Sequence, residues 1–320
     1  MLKRLTLTVC GLLAAAGAVA DPYPAKPITL VVPYSAGGGA DVIARALGKS
    51  LTEQLKQPVV VDNKPGASGQ IAAAAVSRAT PDGYTLLLST DNMYSINPVL
   101  FGKAAQESLG GLEPIANIVG APVVVAVSAS SPIQGLQDFA AAAQKKGAPL
   151  SYASPGVGTP HQLAAEMLAR ALKQPLTHVP YKGTSNAMTD LVGGQVDLLF
   201  GMPASVQPLV TAGKARIIAV TSPSRFPLLP TVPTVAETLR NVSISTVDMG
   251  LMTPKGTSPD IVRKLNDAVR AALVDRDVRH VILTNGMVGL GGSPADYAQR
   301  MKQARAERER IIVDTGIRAE

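Results

Sequence analysis

Two short stretches of this chain have the residue types and spacing of an anion cradle. The first is Pro33-Tyr34-Ser35-Ala36-Gly37-Gly38-Gly39-Ala40-Asp41. Successive glycines let backbone N–H groups turn toward one point, and a helix that starts there adds partial positive charge. A carboxylate can be held in such a loop without any arginine. The same residues also suit a tight strand-to-helix turn capped by Asp41. The second stretch is Tyr152-Ala153-Ser154-Pro155-Gly156-Val157-Gly158-Thr159-Pro160-His161. Thr159 and Gln162 have capping-box spacing around Pro160, and Ser154 offers a hydroxyl. Ordinary helix capping explains this loop taken alone. Two such loops in different halves of the chain point to a ligand clasped from both sides.

Other chemistry finds little support. No G-x-G-x-x-G follows a strand. Gly48-Lys49-Ser50 imitates the end of a phosphate loop, but Ile43 fills the place of its first glycine. No G-x-S-x-G occurs. His161, His178 and His280 show no metal-ligand spacing, and the single cysteine, Cys10, lies near the N-terminus. His161 reads as a helix-start hydrogen-bonding residue rather than a general base. No nucleophile–base pair and no metal set is visible, so an enzyme is the third reading and a binding protein the first.

The elements that must position these loops follow from periodicity. Apolar runs at 28–33, 59–62 and 85–89 read as buried strands. Between them, Ile43, Leu47, Leu51 and Leu55 fall on one face of a helix over 41–55, and 69–79 reads as a second helix. The middle repeats the scheme. Strands are predicted at 122–128, 150–153, 177–180, 196–200 and 216–221. Helices are predicted at 133–146, 159–172, 186–192 and 204–212. Ser258-Pro259-Asp260 and Ser293-Pro294-Ala295-Asp296 each open a late helix. In the last of these, Arg300, Lys302, Arg305, Arg308 and Arg310 alternate with Glu307 and Glu309, which reads as a solvated face. Strand–helix–strand alternation implies α/β lobes, each a mainly parallel sheet flanked by helices. With no repeat and no flexible linker, the lobes must be joined by crossing strands near 123–128 and 246–253. A cleft results, faced by loops at strand ends.

Length and composition narrow the setting. Lys3 and Arg4 precede an apolar run from Leu5 to Ala18, and Ala18-Val19-Ala20 ends it with small residues. This is a secretory signal peptide with cleavage expected after Ala20. The mature chain then has no thiol, which suits an oxidising envelope compartment. About 300 residues remain, enough for two domains. The formal charge of +7 becomes +5 without the leader. Nucleic acid is excluded as a partner, since no basic-aromatic stripe occurs. With no tryptophan, sugar-stacking platforms are scarce, and small carboxylate or amino-acid-like ligands fit better.

Ordered along the chain, these pieces resemble the periplasmic solute receptors of tripartite tricarboxylate transporters, the Bug-type receptors. The resemblance runs through Tyr23-Pro24-Ala25-Lys26-Pro27-Ile28, the loop Pro33 to Asp41, and Asn63-Lys64-Pro65-Gly66-Ala67-Ser68-Gly69. It continues through Pro81-Asp82-Gly83-Tyr84-Thr85-Leu86-Leu87, Tyr152 to His161 and His178-Val179-Pro180-Tyr181-Lys182-Gly183. Ala212-Gly213-Lys214, Ala219-Val220-Thr221-Ser222 and Leu229-Pro230-Thr231-Val232-Pro233-Thr234 complete it.

The resemblance implies a two-lobed clamshell of the type II periplasmic-binding-protein kind. Lobe I would comprise 21–124 and 247–320, and lobe II 125–246. It implies capture of a small carboxylate, delivery to membrane permease subunits, no cofactor, no metal and a monomer. The carboxylate could be a dicarboxylate, a tricarboxylate, an amino acid or an aromatic acid. A receptor that feeds a signalling kinase would use the same clamshell. The implied ligand-binding set is Tyr34, Ser35, Ala36, Gly37, Gly38, Gly39, Asp41 and Ser89 in the first lobe. Ser154, Gly156, Val157, Gly158, Thr159, His161 and Tyr181 follow in the second, with Asp248 near a crossing strand. Asp248 stands where the family often has an aromatic, so it could accept an amine from the ligand or serve as a structural acid. Phe200-Gly201 and Gly110-Gly111-Leu112 also depart from the family pattern.

Overall fold

A computed structural model describes residues 23–34, 36–37, 39–157, 159–181, 184–239 and 247–316. The expected signal peptide, its expected cleavage after Ala20, and the ligand contacts expected of Ser35, Gly38 and Gly158 lie outside the described residues. The first half runs β1 (Ile28–Val32), α1 (Gly39–Leu55), β2 (Val59–Asn63), α2 (Gln70–Ser77), β3 (Thr85–Thr90), α3 (Asp91–Ser95), α4 (Asn97–Leu100), α5 (Lys103–Gly110) and β4 (Leu112–Ala121). Next come β5 (Val124–Ser128), α6 (Phe139–Lys146), β6 (Leu150–Ser154), α7 (Pro160–Leu172), β7 (Leu176–Pro180), α8 (Thr184–Val192), β8 (Leu198–Gly201), α9 (Pro203–Thr211), β9 (Ala215–Val220) and α10 (Val235–Thr238). The chain closes with β10 (Val247–Pro254), α11 (Pro259–Val274), α12 (Arg276–Thr284), β11 (Val288–Gly291) and α13 (Pro294–Thr315).

Two sheets result, with strand orders β11-β4-β10-β3-β1-β2 and β7-β6-β8-β5-β9. The architecture is the expected two-lobed α/β fold, but both sheets are mixed rather than mainly parallel. β2, β1 and β3 are parallel neighbours, whereas β10 pairs antiparallel with β3 and β4. In the second sheet β7, β6 and β8 are parallel and β5 runs against β8 and β9. Strands that enter a lobe from its neighbour arrive at the edge where the lobe's own strands end, so they must run the other way. The crossing from first to second sheet is made by Pro122-Val123, between β4 and β5. It is shorter than 123–128, because β5 already belongs to the second sheet.

Sequence pattern accounts for most elements. α1 buries Ile43, Leu47, Leu51 and Leu55 against the first sheet, as its spacing predicts. The helix expected over 133–146 is shorter. Asp138 Oδ2 accepts from the backbone N–H of Gln134 at 2.7 Å and of Gly135 at 3.1 Å, so a separate tight turn precedes α6. α13 begins where Ser293-Pro294-Ala295-Asp296 predicts, and Ser293 Oγ accepts from Asp296 N at 3.1 Å. Its basic face is not simply solvated. Arg308 is 2% exposed and bonds Asp91 Oδ2 at 2.5 Å, and Arg300 pairs with Asp248. Spacing along one helix cannot show that acids from β3–α3 and β10 lie beneath it.

The two lobes meet along the C-terminal ends of their parallel strands. Ile96, just past α3, packs with Leu163 of α7 and with Ile311 and Ile312 of α13. Met202, at the end of β8, packs against the core of the first sheet. These contacts set α3, which follows β3, beside α7, which follows β6, and the end of β8 against the first sheet's core. This is where open α/β sheets bind ligands.

Candidate functional site

The first-lobe loop leaves β1 at Val32 and enters α1 at Gly39. Gly37 has φ +84°, a left-handed value that a glycine adopts freely. Its N–H donates to Asp41 Oδ2 at 2.9 Å. Asp41 is buried, and its carboxylate also accepts from Arg45 Nε at 2.9 Å and from Asn63 Nδ2 at 3.0 Å. The Arg45 bond, aided by Gly37 N–H and Asn63, holds the carboxyl down at about 2 against the opposing effect of burial. Asp41 is thus an ionised brace inside the loop. The first-turn N–H groups of an α-helix have no intrahelical partner, and in α1 these belong to Gly39, Ala40 and Asp41. Ala36, Gly37 and Gly39 are exposed along this loop.

Tyr34 closes one side of the loop. It is 37% exposed, and its hydroxyl lies 3.2 Å from Thr90 Oγ1 and donates to Asn92 Oδ1 at 3.4 Å. Asn63 Nδ2 donates to the Tyr34 carbonyl at 2.9 Å. Beside it, the turn after β2 holds four successive residues at positive φ: Gly66 (128°), Ala67 (45°), Ser68 (52°) and Gly69 (89°). For Ala67 and Ser68 this backbone costs roughly 1–2 kcal/mol each. Asn92 Nδ2 and Asn97 Nδ2 both donate to the Ser68 carbonyl, at 3.0 and 2.9 Å, and hold the turn in place.

The second-lobe loop is built alike. Ser154 ends β6, fully buried, with its hydroxyl 2.7 Å from His178 Nε2. The same hydroxyl accepts from Gly156 N at 3.2 Å and donates to Gly156 O at 3.0 Å. Thr159 caps α7, its side chain accepting from Gln162 N at 3.4 Å, as the capping box predicts. Gly156 has φ +147°, and a Cβ there would sit 3.5 Å from the Tyr181 carbonyl, so the chain after β7 walls the loop. Tyr181 N donates to Ser154 O at 3.0 Å, and its hydroxyl donates to Asp190 Oδ2 at 2.6 Å. Val157 is half-buried at the turn.

His161 differs from expectation. It is 9% exposed, and neither ring nitrogen has a hydrogen-bond partner. Burial alone pushes its pKa down to about 4, so the ring is neutral at pH 7. A helical side chain covers the turn N-terminal to its own Cα. At the second position of α7, that turn is the glycine loop itself.

Two residues of the expected ligand set are held by protein partners. Ser89 is fully buried, and its hydroxyl is shared between Gly250 O at 3.1 Å and Tyr297 OH at 2.8 Å beneath β10. Asp248 is 3% exposed and accepts from both Arg300 Nε and Arg300 Nη2, the latter at 3.1 Å. It is a structural acid, not a free carboxylate awaiting an amine. Position near a strand end does not say which face a side chain takes, and for Asp248 the Arg300 pair favours the structural one of its two expected roles. Reasoning from the sequence missed Asn92, Asn97 and Ser68. The left-handed turn could have been suspected from Gly66-Ala67-Ser68-Gly69, but the asparagines carry no motif of their own.

A groove of about 760 Å³ lies between α9 and the end of α12, lined by Pro203, Ala204, Gln207, Leu228, Leu283 and neighbours. It holds no charged side chain and shares no residue with either glycine loop. Among the described residues, no group of three or more His, Cys, Asp or Glu side chains could hold a metal ion. No described helix is long and apolar enough to cross a membrane.

Known proteins place this geometry. The family model of the tripartite tricarboxylate transporter family receptor matches residues 43–317. Protein BugT of Bordetella pertussis is 32% identical over 282 residues, 88% of this chain and 86% of that one. A Rhodopseudomonas palustris MatC structure with bound malate is 31% identical, with TM-score 0.76, over 91% of this chain and 100% of that chain. The R. palustris protein Rpa4515 with adipate is 30% identical, with TM-score 0.80, over 92% and 99%. With the family model spanning most of its length and relatives above 30% identity over nearly all of it, the chain belongs to the tripartite tricarboxylate transporter receptor family.

Proposed function

We propose that this protein captures a small carboxylate between its two lobes in the periplasm and delivers it to the permease subunits of a tripartite tricarboxylate transporter. One observation carries the reading. Glycine-rich strand-to-helix loops follow a parallel strand in both sheets, and in this reading they face each other across the lobe boundary. Arg45 is paired with Asp41 inside the first loop, and Arg300 and Arg308 of α13 are paired with Asp248 and Asp91. Recognition of an anion there falls to backbone N–H groups and helix N-termini. Relatives with bound malate and adipate support a carboxylate as the ligand class.

In this reading lobe I is 21–124 with 247–320 and lobe II is 125–246. Ligand contacts come from Tyr34, Ala36, Gly37 and Gly39 with Ser35 and Gly38. Across the cleft they come from Gly156, Val157, Thr159 and His161 with Gly158. Binding shifts the population toward a closed clamshell, because contacts to both loops exist only there. The protein acts as a monomer without catalysis. The test is a thermal-shift screen of mono-, di- and tricarboxylates and amino acids on protein shown by native mass spectrometry to be ligand-free. A ligand at 100 times its Kd stabilises by about 2.7 kcal/mol. No shift across the panel would refute the reading.

A further inference from the structure

One side chain ties together three loop ends of the first lobe. Asn92 stands at the start of α3, 9% exposed. Its Oδ1 accepts from the Thr90 hydroxyl at 2.7 Å and from the Tyr34 hydroxyl at 3.4 Å. Its Nδ2 donates to the Ser68 carbonyl at 3.0 Å. Tyr34 follows β1, Ser68 follows β2 and Asn92 follows β3, three parallel strands that end at the same edge. We infer that Asn92 is the positioning residue for ligand capture, holding the glycine loop and the left-handed turn 66–69 in one arrangement before any ligand arrives. The inference rests on the carboxylate-capture reading.

The chemistry explains why an amide is needed. A buried carboxamide accepts and donates in one fixed plane. Aspartate can keep the Tyr34 and Thr90 bonds but has no hydrogen for Ser68, and leucine offers neither. The turn is backbone that non-glycine residues leave when released, with Ala67 at φ 45° and Ser68 at φ 52°. Asn97 supplies a second bond to the same carbonyl but does not reach Tyr34. Among the described residues, Asn92 is the side chain that hydrogen-bonds both the turn and Tyr34. A wall set in advance lowers the ordering cost that binding would otherwise carry.

The test uses Asn92→Asp, which keeps shape and the acceptor side, in the full mature chain. Two readouts are taken. In ligand-free protein, hydrogen exchange at the Lys64 and Gly69 amides, which bond Val32 O and Gly66 O, should accelerate at least tenfold over wild type. In calorimetric titration with malate and adipate, at a temperature where both proteins are folded, affinity should fall at least tenfold. Asn92→Asp combined with Ser68→Gly, which removes the left-handed penalty at that position, should recover part of the loss. Unchanged exchange at 64–69, or a lower Tm with unchanged Kd, would overturn the inference, since a merely structural residue moves only Tm. If Asn92→Asp does not fold, Tyr34→Phe removes the hydroxyl that bonds Asn92 and Thr90. In ligand-free protein it should speed exchange in 33–41, and unchanged exchange there would overturn the inference. If wild type binds neither acid, the titration uses a carboxylate that shifts wild type in the wider panel; no shift across that panel counts against the carboxylate reading, while the exchange comparison still decides whether Asn92 positions the loops.

Discussion

Acid should weaken this protein through His161 in a window set by one buried ring. The imidazole has its pKa lowered from the ordinary 6.5 to about 4, and burial is the cause. In the unfolded chain the ring takes a proton as pH falls below 6.5, while in the folded chain it resists until about 4. The unfolded state therefore binds more protons across that interval, and stability falls as pH drops. A tenfold difference in proton affinity between the two states is worth about 1.4 kcal/mol, so the full loss between pH 7 and 4 is about 3 kcal/mol. That is a large part of the roughly 5–15 kcal/mol typical of a domain. The perturbation is His161→Gln, which keeps a polar side chain and cannot titrate. Urea unfolding of ligand-free wild type and variant at pH 7, 6, 5 and 4 isolates the contribution. The stability difference, wild type minus variant, should fall by about 3 kcal/mol from pH 7 to 4, with a slope near 1.4 kcal/mol for each step of one in pH between about 6 and 4.5. Asp41 does not interfere, because its lowered pKa gives stability that is present above 3.8 and lost only as pH falls toward 2. A difference that stays flat from pH 7 to 4 would refute the reasoning, because it would mean the folded ring protonates as readily as the unfolded one.

Other outcomes follow from the same geometry. Arg308→Ala should cost about 3–5 kcal/mol in denaturant melts, because it strands the buried Asp91 carboxylate, and Asp91→Leu combined with Arg308→Met should recover much of that. Asp248→Asn should lower Tm while leaving the rank order of carboxylates in calorimetry unchanged, since its charge is already matched by Arg300. A changed rank order would restore Asp248 to the site. Gly156→Val should abolish carboxylate binding with the fold retained by circular dichroism, because φ +147° strains a β-branched residue beside Tyr181 O; normal affinity would remove this loop from the site.

Much of the protein was legible in its residues, for local reasons. Helix and strand periods, glycine at turns, and Ser-Pro and Thr-Pro helix starts act within a few positions of themselves. So α1, α7, α13, the three parallel strands of each lobe and both glycine loops stand where pattern puts them. The family, too, is carried by short motifs in a fixed order. The strand β4 was not legible, because Leu112–Ala121 gains its identity only from the antiparallel neighbours β10 and β11. Polar side chains were the least legible. Asp41, Ser89 and Asp248 stood in the expected ligand set, Asp41 also as a turn cap and Asp248 also as a structural acid. Folding instead gives each a partner, Arg45, Tyr297 and Arg300, and for the latter two the partner is far away in sequence. The reverse holds for Asn92, which has no motif yet joins three loops. Periodicity settles which backbone segments form. Which buried charge meets which, and hence which polar groups remain for a ligand, is decided only when distant segments are packed together, because a hydrogen bond depends on ångström distances that sequence spacing does not encode.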